Sequence, residues 1–346
     1  MSPLAAATNE RREMNSLSRP QSSRDCARSC QTSAPMLSDP KSSAHHPELP
    51  SRLREAVAAA ASALATALRT PTEVPESDAP HLDALREAEA LVLSRLGLPR
   101  STLYADPDRL LSNTERAHIE EWLARRCRGE PLAYLIGERE FWSLNFEVSP
   151  AVLVPRPETE LLVERALRIG DALELAGQAL PSVLDLGTGS GAIAITLAHE
   201  RPGWRVTAVE RSDSALAVAR RNASRHAVTN LQLLQGDWFE PVADRRFDIV
   251  VSNPPYVSAD DPLLGGDSLR HEPREALTPG ADALRDLAHL IDEAPRHLEH
   301  GGRLLLEHGA RQGEALRSKL VARGFAHVVS HLDLSGQERV TEGQWP

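Results

Sequence analysis

The sequence predicts an α/β fold: a mostly parallel sheet preceded by a small all-helical N-terminal domain. Three observations lead there. From residue 181 onward, short β-branched or apolar runs alternate with helical stretches. Residues 51–130 carry helical periodicity alone. Between these regions Pro150, Pro155 and Pro157 punctuate the chain, and no long helix crosses them. Strands alternating with helices imply right-handed βαβ units, hence a parallel sheet covered on both faces.

Taken in order, residues 1–50 are rich in Ser, Pro and Arg with almost no apolar periodicity. Such a stretch buries too little apolar surface to offset the entropy of ordering it, and reads as a disordered leader. A first helix spans Leu53 to Leu68, with Leu53, Val57, Ala60, Leu64 and Leu68 on one face. It starts too deep, carries Glu55 and lacks a cleavage region, so it is not a secretory signal. A second helix spans Pro80 to Leu96, its face marked by Leu82, Leu85, Val92 and Leu96, and stops at Gly97 and Pro99. A third opens at Ser112, where Glu115 stands at capping-box spacing, and buries Ile119, Leu123 and Cys127. Residues 131–180 read as a linker with one hairpin around Phe141 to Val148, then a connecting helix from about Glu158 to Leu175.

Within 181–346 five runs read as strands: Val183–Leu186, Val206–Val209, Leu231–Leu234, Phe247–Val251 and Arg303–Leu306. Ligands of such sheets sit beyond the carboxyl ends of the strands, so the chemistry is expected just after these runs.

Bulk properties narrow the function. A hydrophobic fraction of 41% and a charged fraction of 25% are ordinary for a globular protein. The net charge of −10 argues against a surface built for direct nucleic-acid binding. Two of the three cysteines (Cys26, Cys30 and Cys127) lie in the leader, so no disulfide framework or metal site is expected. With no apolar run long enough to span a bilayer, a cytoplasmic protein without a membrane segment is expected.

After the first strand comes Asp185-Leu186-Gly187-Thr188-Gly189-Ser190-Gly191, leading into a helix. Glycines here let the backbone bend sharply and let a ligand approach it closely. The turn alone is not specific, since nicotinamide dehydrogenases use a similar one. Glu210, 19 residues after Gly191, ends the second strand, where an acid accepts from ribose hydroxyls. Asp185 would repel a pyrophosphate and favour an ammonium group. S-adenosylmethionine has that ammonium and no phosphate. Trp238, after the third strand, supplies an aromatic plane for adenine.

The fourth strand runs into Asn253-Pro254-Pro255-Tyr256. Two prolines fix the backbone and remove two amide donors, so the loop presents acceptors. That suits a planar NH₂ group: the Asn253 side-chain oxygen and the Pro254 carbonyl each take one hydrogen, while Tyr256 packs on its flat face. Orienting a weakly nucleophilic nitrogen toward an electrophilic methyl is catalysis by positioning.

These motifs resemble the seven-stranded class I methyltransferases that act on amide or exocyclic nitrogens. More narrowly, five segments are similar to the release-factor glutamine methyltransferases: Gly137–Trp142, Val154–Glu160, His271–Leu277, Leu305–Gly309 and Glu338–Thr341. The resemblance runs from about residue 51 to the C-terminus. It implies a Rossmann-like methyltransferase domain at 181–346 and a substrate-recognition role for the helical domain at 51–130. It implies methylation, by S-adenosyl-L-methionine, of the glutamine N5 in the Gly-Gly-Gln loop of class 1 peptide chain release factors. Carried over, Gly187, Thr188, Gly189, Ser190, Gly191, Glu210, Trp238 and Asn253 would contact the cofactor. Asn253, Pro254, Pro255 and Tyr256 would hold the substrate glutamine, with Asn253, Pro254 and Tyr256 catalytic. Arg156 and Glu158 read as loop-ordering residues through an ion pair within their loop. Two alternatives share the acceptor motif: an enzyme methylating a ribosomal-protein glutamine, and an adenine-N6 methyltransferase, which would have to neutralise phosphates.

Overall fold

The computed structural model describes residues 48–68, 79–177, 180–266 and 269–346. The expected leader lies outside them except for its last three residues.

Small side chains decide how the first helices meet. Helix α1 (Leu53–Ala67) buries Leu53, Ala56, Val57, Ala60 and Leu64, a one-sided stripe at helical spacing. Helix α2 (Ala79–Leu96) lays Ala84, Ala88, Leu91 and Val92 into the same core. The face expected for it needs correction: Leu82 is 55% and Leu85 38% exposed. Close helix packing selects small residues at the contact, so alanines, not leucines, mark the buried side. After the short α3 (Thr102–Ala105), α4 (Asn113–Cys127) opens with the expected capping box. Ser112 Oγ accepts from the Glu115 amide at 3.2 Å, and the Glu115 carboxylate accepts from the Ser112 amide at 2.8 Å. Ile119 and Leu123 close this helical core, with Cys127 packed against its edge.

Helix α5 (Leu132–Ile136) ends at Gly137 (φ +86°) and leads into a hairpin, β1 (Glu138–Phe141) and β2 (Leu144–Glu147). The hairpin begins three residues before the expected Phe141. Its reversal falls on Trp142 and Ser143, at φ +54° and +60°. No glycine marks that turn; Glu160 and Glu140 accept from the Trp142 and Ser143 amides and hold it. A 3₁₀ turn, Pro157–Thr159, then starts α6 (Glu160–Leu175).

The main sheet comprises β3 (Ser182–Leu186), β4 (Arg205–Glu210), β5 (Leu231–Gln235), β6 (Phe247–Ser252), β7 (Leu298–Glu307), β8 (Ala326–Leu332) and β9 (Glu338–Gln344). Helices α7 (Ala192–Glu200), α8 (Asp213–Arg225), α9 (Arg285–Glu293) and α10 (Gly313–Arg323) connect them. Among the described residues the sheet has seven strands in the order β5-β4-β3-β6-β7-β9-β8. The five expected strands are parallel, while β9 runs antiparallel to both β7 and β8. Alternate residues of the central strands feed two cores. Val183, Ile249, Val251 and Leu305 enter one, and Leu184, Val250, Leu304 and Leu306 the other.

Strand order reverses at β3, whose neighbours are β4 and β6. A crevice opens at such a switch point, beyond the strand ends. Leu186 pairs in register with Ser252, and Ser252 Oγ donates to the Leu186 carbonyl at 2.7 Å. The glycine turn and the Asn-Pro-Pro-Tyr loop therefore leave the sheet side by side.

Candidate active site

The turn after β3 bends on Gly187, Gly189 and Gly191 at φ +73°, +58° and +85°. These are left-handed positions where a Cβ is strained. Beneath it Asp185 is fully buried, and its carboxylate accepts from Thr188 Oγ1 at 2.6 Å. Burial pushes this carboxyl up to about 7, against the pull of hydrogen bonds from Thr188 and the Ala194 amide. Asp185 is not on the cavity wall. The ammonium-facing role read from the sequence does not fit that position; the side chain ties the turn from below. Behind the turn, buried Asn222 of α8 donates to the Ser190 carbonyl at 2.9 Å.

Glu210 closes the turn from β4. Its carboxylate accepts from the amides of Gly189 at 2.9 Å and Ser212 at 2.8 Å. Each oxygen retains a second lone pair, so the group can still accept from a ligand diol. Trp238, itself at φ +44°, sets its ring beside Gly187. A Cβ there would lie 3.5 Å from the ring, so the bare glycine shapes the gap between turn and indole.

The loop after β6 is held from three directions. Asn253 Nδ2 donates to Thr159 Oγ1 at 3.2 Å, which leaves the Asn253 carbonyl oxygen as the group it can offer. The Tyr256 hydroxyl donates to Glu307 Oε1 at 3.2 Å. Gln312 Nε2 donates to the Tyr256 carbonyl at 3.0 Å. Burial and the neighbouring Glu307 raise the Tyr256 phenol above its ordinary range, so it stays a donor.

Between the two turns lies a cavity of about 780 Å³, within the range of cofactor sites. Of the residues expected from sequence, Gly187, Thr188, Gly189, Ser190, Glu210, Trp238, Asn253 and Pro255 line it. Gly191, Pro254 and Tyr256 stand behind that wall; Gly191 packs against α7, where a Cβ would meet Ile195 Cδ1 at 2.5 Å. Tyr256 points its hydroxyl back into the protein rather than across the cavity.

The opposite wall comes from residues to which sequence reasoning assigned no role. Arg156 pairs at 2.5 Å with the buried Glu272, which also accepts from the Val154 amide at 3.0 Å. The ion pair expected within the Arg156–Glu158 loop is thus replaced by one spanning 116 residues, which ties the proline-rich stretch to the segment at 271–277. Pro155, Arg156, Pro273, Glu275 and Ala276 consequently form one wall. Their only signal in the sequence is membership of the segments at 154–160 and 271–277.

The cavity suits the expected methyl donor on its own geometry. It offers a cleft floored by a glycine turn, an acid at the end of the neighbouring strand and an indole at its side. Among the described residues there is no metal-binding cluster and no helix long and apolar enough to cross a membrane.

Comparison with known proteins agrees with this arrangement. Residues 179–341 match the model of a methyltransferase domain, and residues 77–137 that of the PrmC N-terminal domain. The release factor glutamine methyltransferase of Pseudomonas aeruginosa is 47% identical over 274 residues, covering 79% of this chain and 96% of its own. That of Burkholderia pseudomallei is 48% identical over 271 residues, covering 77% and 93%. That of Escherichia coli is 43% identical over 260 residues, covering 75% and 92%.

Proposed function

Because the chain belongs to the release factor glutamine methyltransferase family, we propose that it methylates the N5 amide nitrogen of the glutamine in the Gly-Gly-Gln loop of class 1 peptide chain release factors. S-adenosyl-L-methionine is the methyl donor, and the reaction takes place in the cytoplasm. Residues 51–130 serve as the substrate-recognition domain and 181–346 as the catalytic one.

The observation that carries this reading is the orientation of Asn253. Its amide N–H is committed to Thr159, so the side chain meets a substrate as an acceptor. An acceptor at that wall recognises an NH₂ donor and rejects a carboxylate. The Pro254 carbonyl takes the second hydrogen, and Pro255 lines the approach. Tyr256 contributes from behind, holding the loop rather than touching the amide. Gly187 to Gly191, Glu210 and Trp238 hold the donor, with Glu210 at the ribose and Trp238 at the adenine. Bound there, S-adenosyl-L-methionine supplies an electrophilic methyl on a sulfonium. An amide nitrogen is a poor nucleophile because its lone pair is delocalised. What these residues add is mainly orientation in a site shielded from water.

The test is incubation of the protein with methyl-labelled donor and, separately, a class 1 release factor, ribosomal protein and DNA. Label is expected on the release factor, mapped by mass spectrometry to the Gly-Gly-Gln glutamine. A release factor with glutamate there takes none. Label on ribosomal protein or DNA but not on the release factor overturns the assignment.

A further inference from the structure

Thr159 and Glu307 come from opposite ends of the domain and are 4% and 1% exposed. A buried carboxyl is costly unless hydrogen bonds need it there. Glu307 receives the Tyr256 hydroxyl at 3.2 Å and is hydrogen-bonded by the Thr159 side chain. Thr159 in turn accepts from Asn253 Nδ2. Both ends of the Asn253–Tyr256 loop are therefore moored to one carboxyl.

The direction of each bond follows from donor counting. An ionised carboxylate only accepts, and a threonine hydroxyl has a single hydrogen. Once that hydrogen goes to Glu307, the Thr159 oxygen has only lone pairs left for Asn253. Asn253 must then turn its NH₂ to Thr159 and its carbonyl oxygen to the cavity. We propose that Glu307, acting through Thr159, is the positioning group that sets the sense of the Asn253 amide and so makes this wall an acceptor for the substrate nitrogen. This rests on the amide-methylation reading above.

Burial pushes the Glu307 carboxyl up to about 7, while hydrogen bonds from Thr159 and Tyr256 and the charge of Arg339 pull it down; Glu158 adds to the rise. His308, next in the chain, is itself lowered by burial. Protonated Glu307 can donate to Thr159, releasing the threonine hydrogen toward Asn253 and removing the constraint on its amide. Turnover therefore falls as pH drops through about 7.

The experiment measures kcat, KM for the release factor and donor affinity in five variants: Glu307→Gln, Thr159→Val, Thr159→Ser, Asn253→Ala and the double Thr159→Val/Asn253→Ala. Glu307→Gln keeps the shape but can donate to Thr159; kcat should fall about 10- to 100-fold, with KM and donor affinity changed less than about threefold. Thr159→Val should lose a similar factor and the acid-side step in the pH profile, and Thr159→Ser, which keeps the hydroxyl, should recover most of it. Because Thr159 acts through Asn253, the double variant should be no slower than Asn253→Ala. Should Glu307→Gln fail to fold, the Thr159 pair carries the test. Near-normal kcat in Thr159→Val, or multiplying losses in the double variant, overturns the proposal. A substrate-free readout separates it from the functional assignment. In ¹⁵N-asparagine-labelled protein the Asn253 side-chain amide should be protected from hydrogen exchange, and Thr159→Val should abolish that protection. If the unaltered enzyme transfers no methyl to a release factor, the substrate assignment fails while the exchange result still decides the relay.

Discussion

The turn after β3 bends on three left-handed glycines, whereas the loop after β6 is stiffened by two prolines, yet each rests on a buried carboxyl and a threonine. Under the glycine turn, Asp185 and Thr188 are three residues apart, so the support is part of the motif. Behind the proline loop, Thr159 is 94 residues from Asn253, and Glu307 is 51 residues from Tyr256. The difference follows from what each turn must do. A glycine turn cradles a donor with its own backbone and needs only to be held in shape. An acceptor wall needs one side-chain amide fixed in one sense, and that takes partners from other strands.

The largest expected effect breaks the acceptor side alone. Asn253→Ala removes a preorganised acceptor, so turnover on the release factor should fall by roughly 10²–10³, with donor affinity nearly unchanged by calorimetry. Equal losses in both would mean that the two turns do not divide the work. The converse on the cofactor side is Glu210→Ala. It removes the acceptor for the Gly189 and Ser212 amides as well as the expected ribose contact. Donor binding should weaken by about 1.5–3 kcal/mol, the range for hydrogen bonds to a charged group. Unchanged affinity would take Glu210 out of the site.

How much of this was legible in the sequence follows the same division between local and distant support. Five parallel strands announced themselves as apolar runs because both faces of the central sheet are buried. β8 and β9 did not. β8 alternates partly buried and exposed positions at the sheet edge, and β9 carries Glu342 in a buried pairing with Arg165 and His331. Polar residues satisfied across strands leave no hydropathy signal. The cofactor turn was readable, apart from the facing of Asp185, because its parts are contiguous. Thr159, Glu272 and Glu307 had no assigned role because their partners are set by topology.

A smaller effect separates two glycines within one turn. Gly189 faces open space, while a Cβ on Gly191 would crowd Ile195 and Ala219. Gly191→Ala should cost about 1–3 kcal/mol of stability. Gly189→Ala should cost roughly 1 kcal/mol, the strain of its left-handed backbone alone. Donor binding should suffer more from Gly189→Ala, since that residue lines the cavity and Gly191 does not. Melting curves and calorimetry on the pair check the inversion; parallel losses in both would dissolve the distinction.

The smallest effect concerns the carboxyl under the glycine turn. Burial raises Asp185 from 3.8 to about 7 in the folded protein. Between those values the folded state binds more protons than the unfolded one, so this group's contribution to stability declines as pH rises and levels off above about 7. Carboxylates held low by partners, such as Asp171 beside Arg201 and Glu130 beside Arg125, act in the opposite sense: their stabilisation is lost as pH falls. The raw melting profile mixes the two, so the informative quantity is the difference from Asp185→Asn. Asparagine is close to isosteric and its oxygen can still accept from Thr188, but it never ionises. Its melting temperature relative to the unaltered protein should climb by a few degrees from pH 5 to 8 and then stop changing. A flat difference would mean that Asp185 is not carrying a burial cost. Methyl transfer at fixed pH should respond far less to this change than to Glu307→Gln, because Asp185 braces a cradle whereas Glu307 dictates which way a side-chain amide faces.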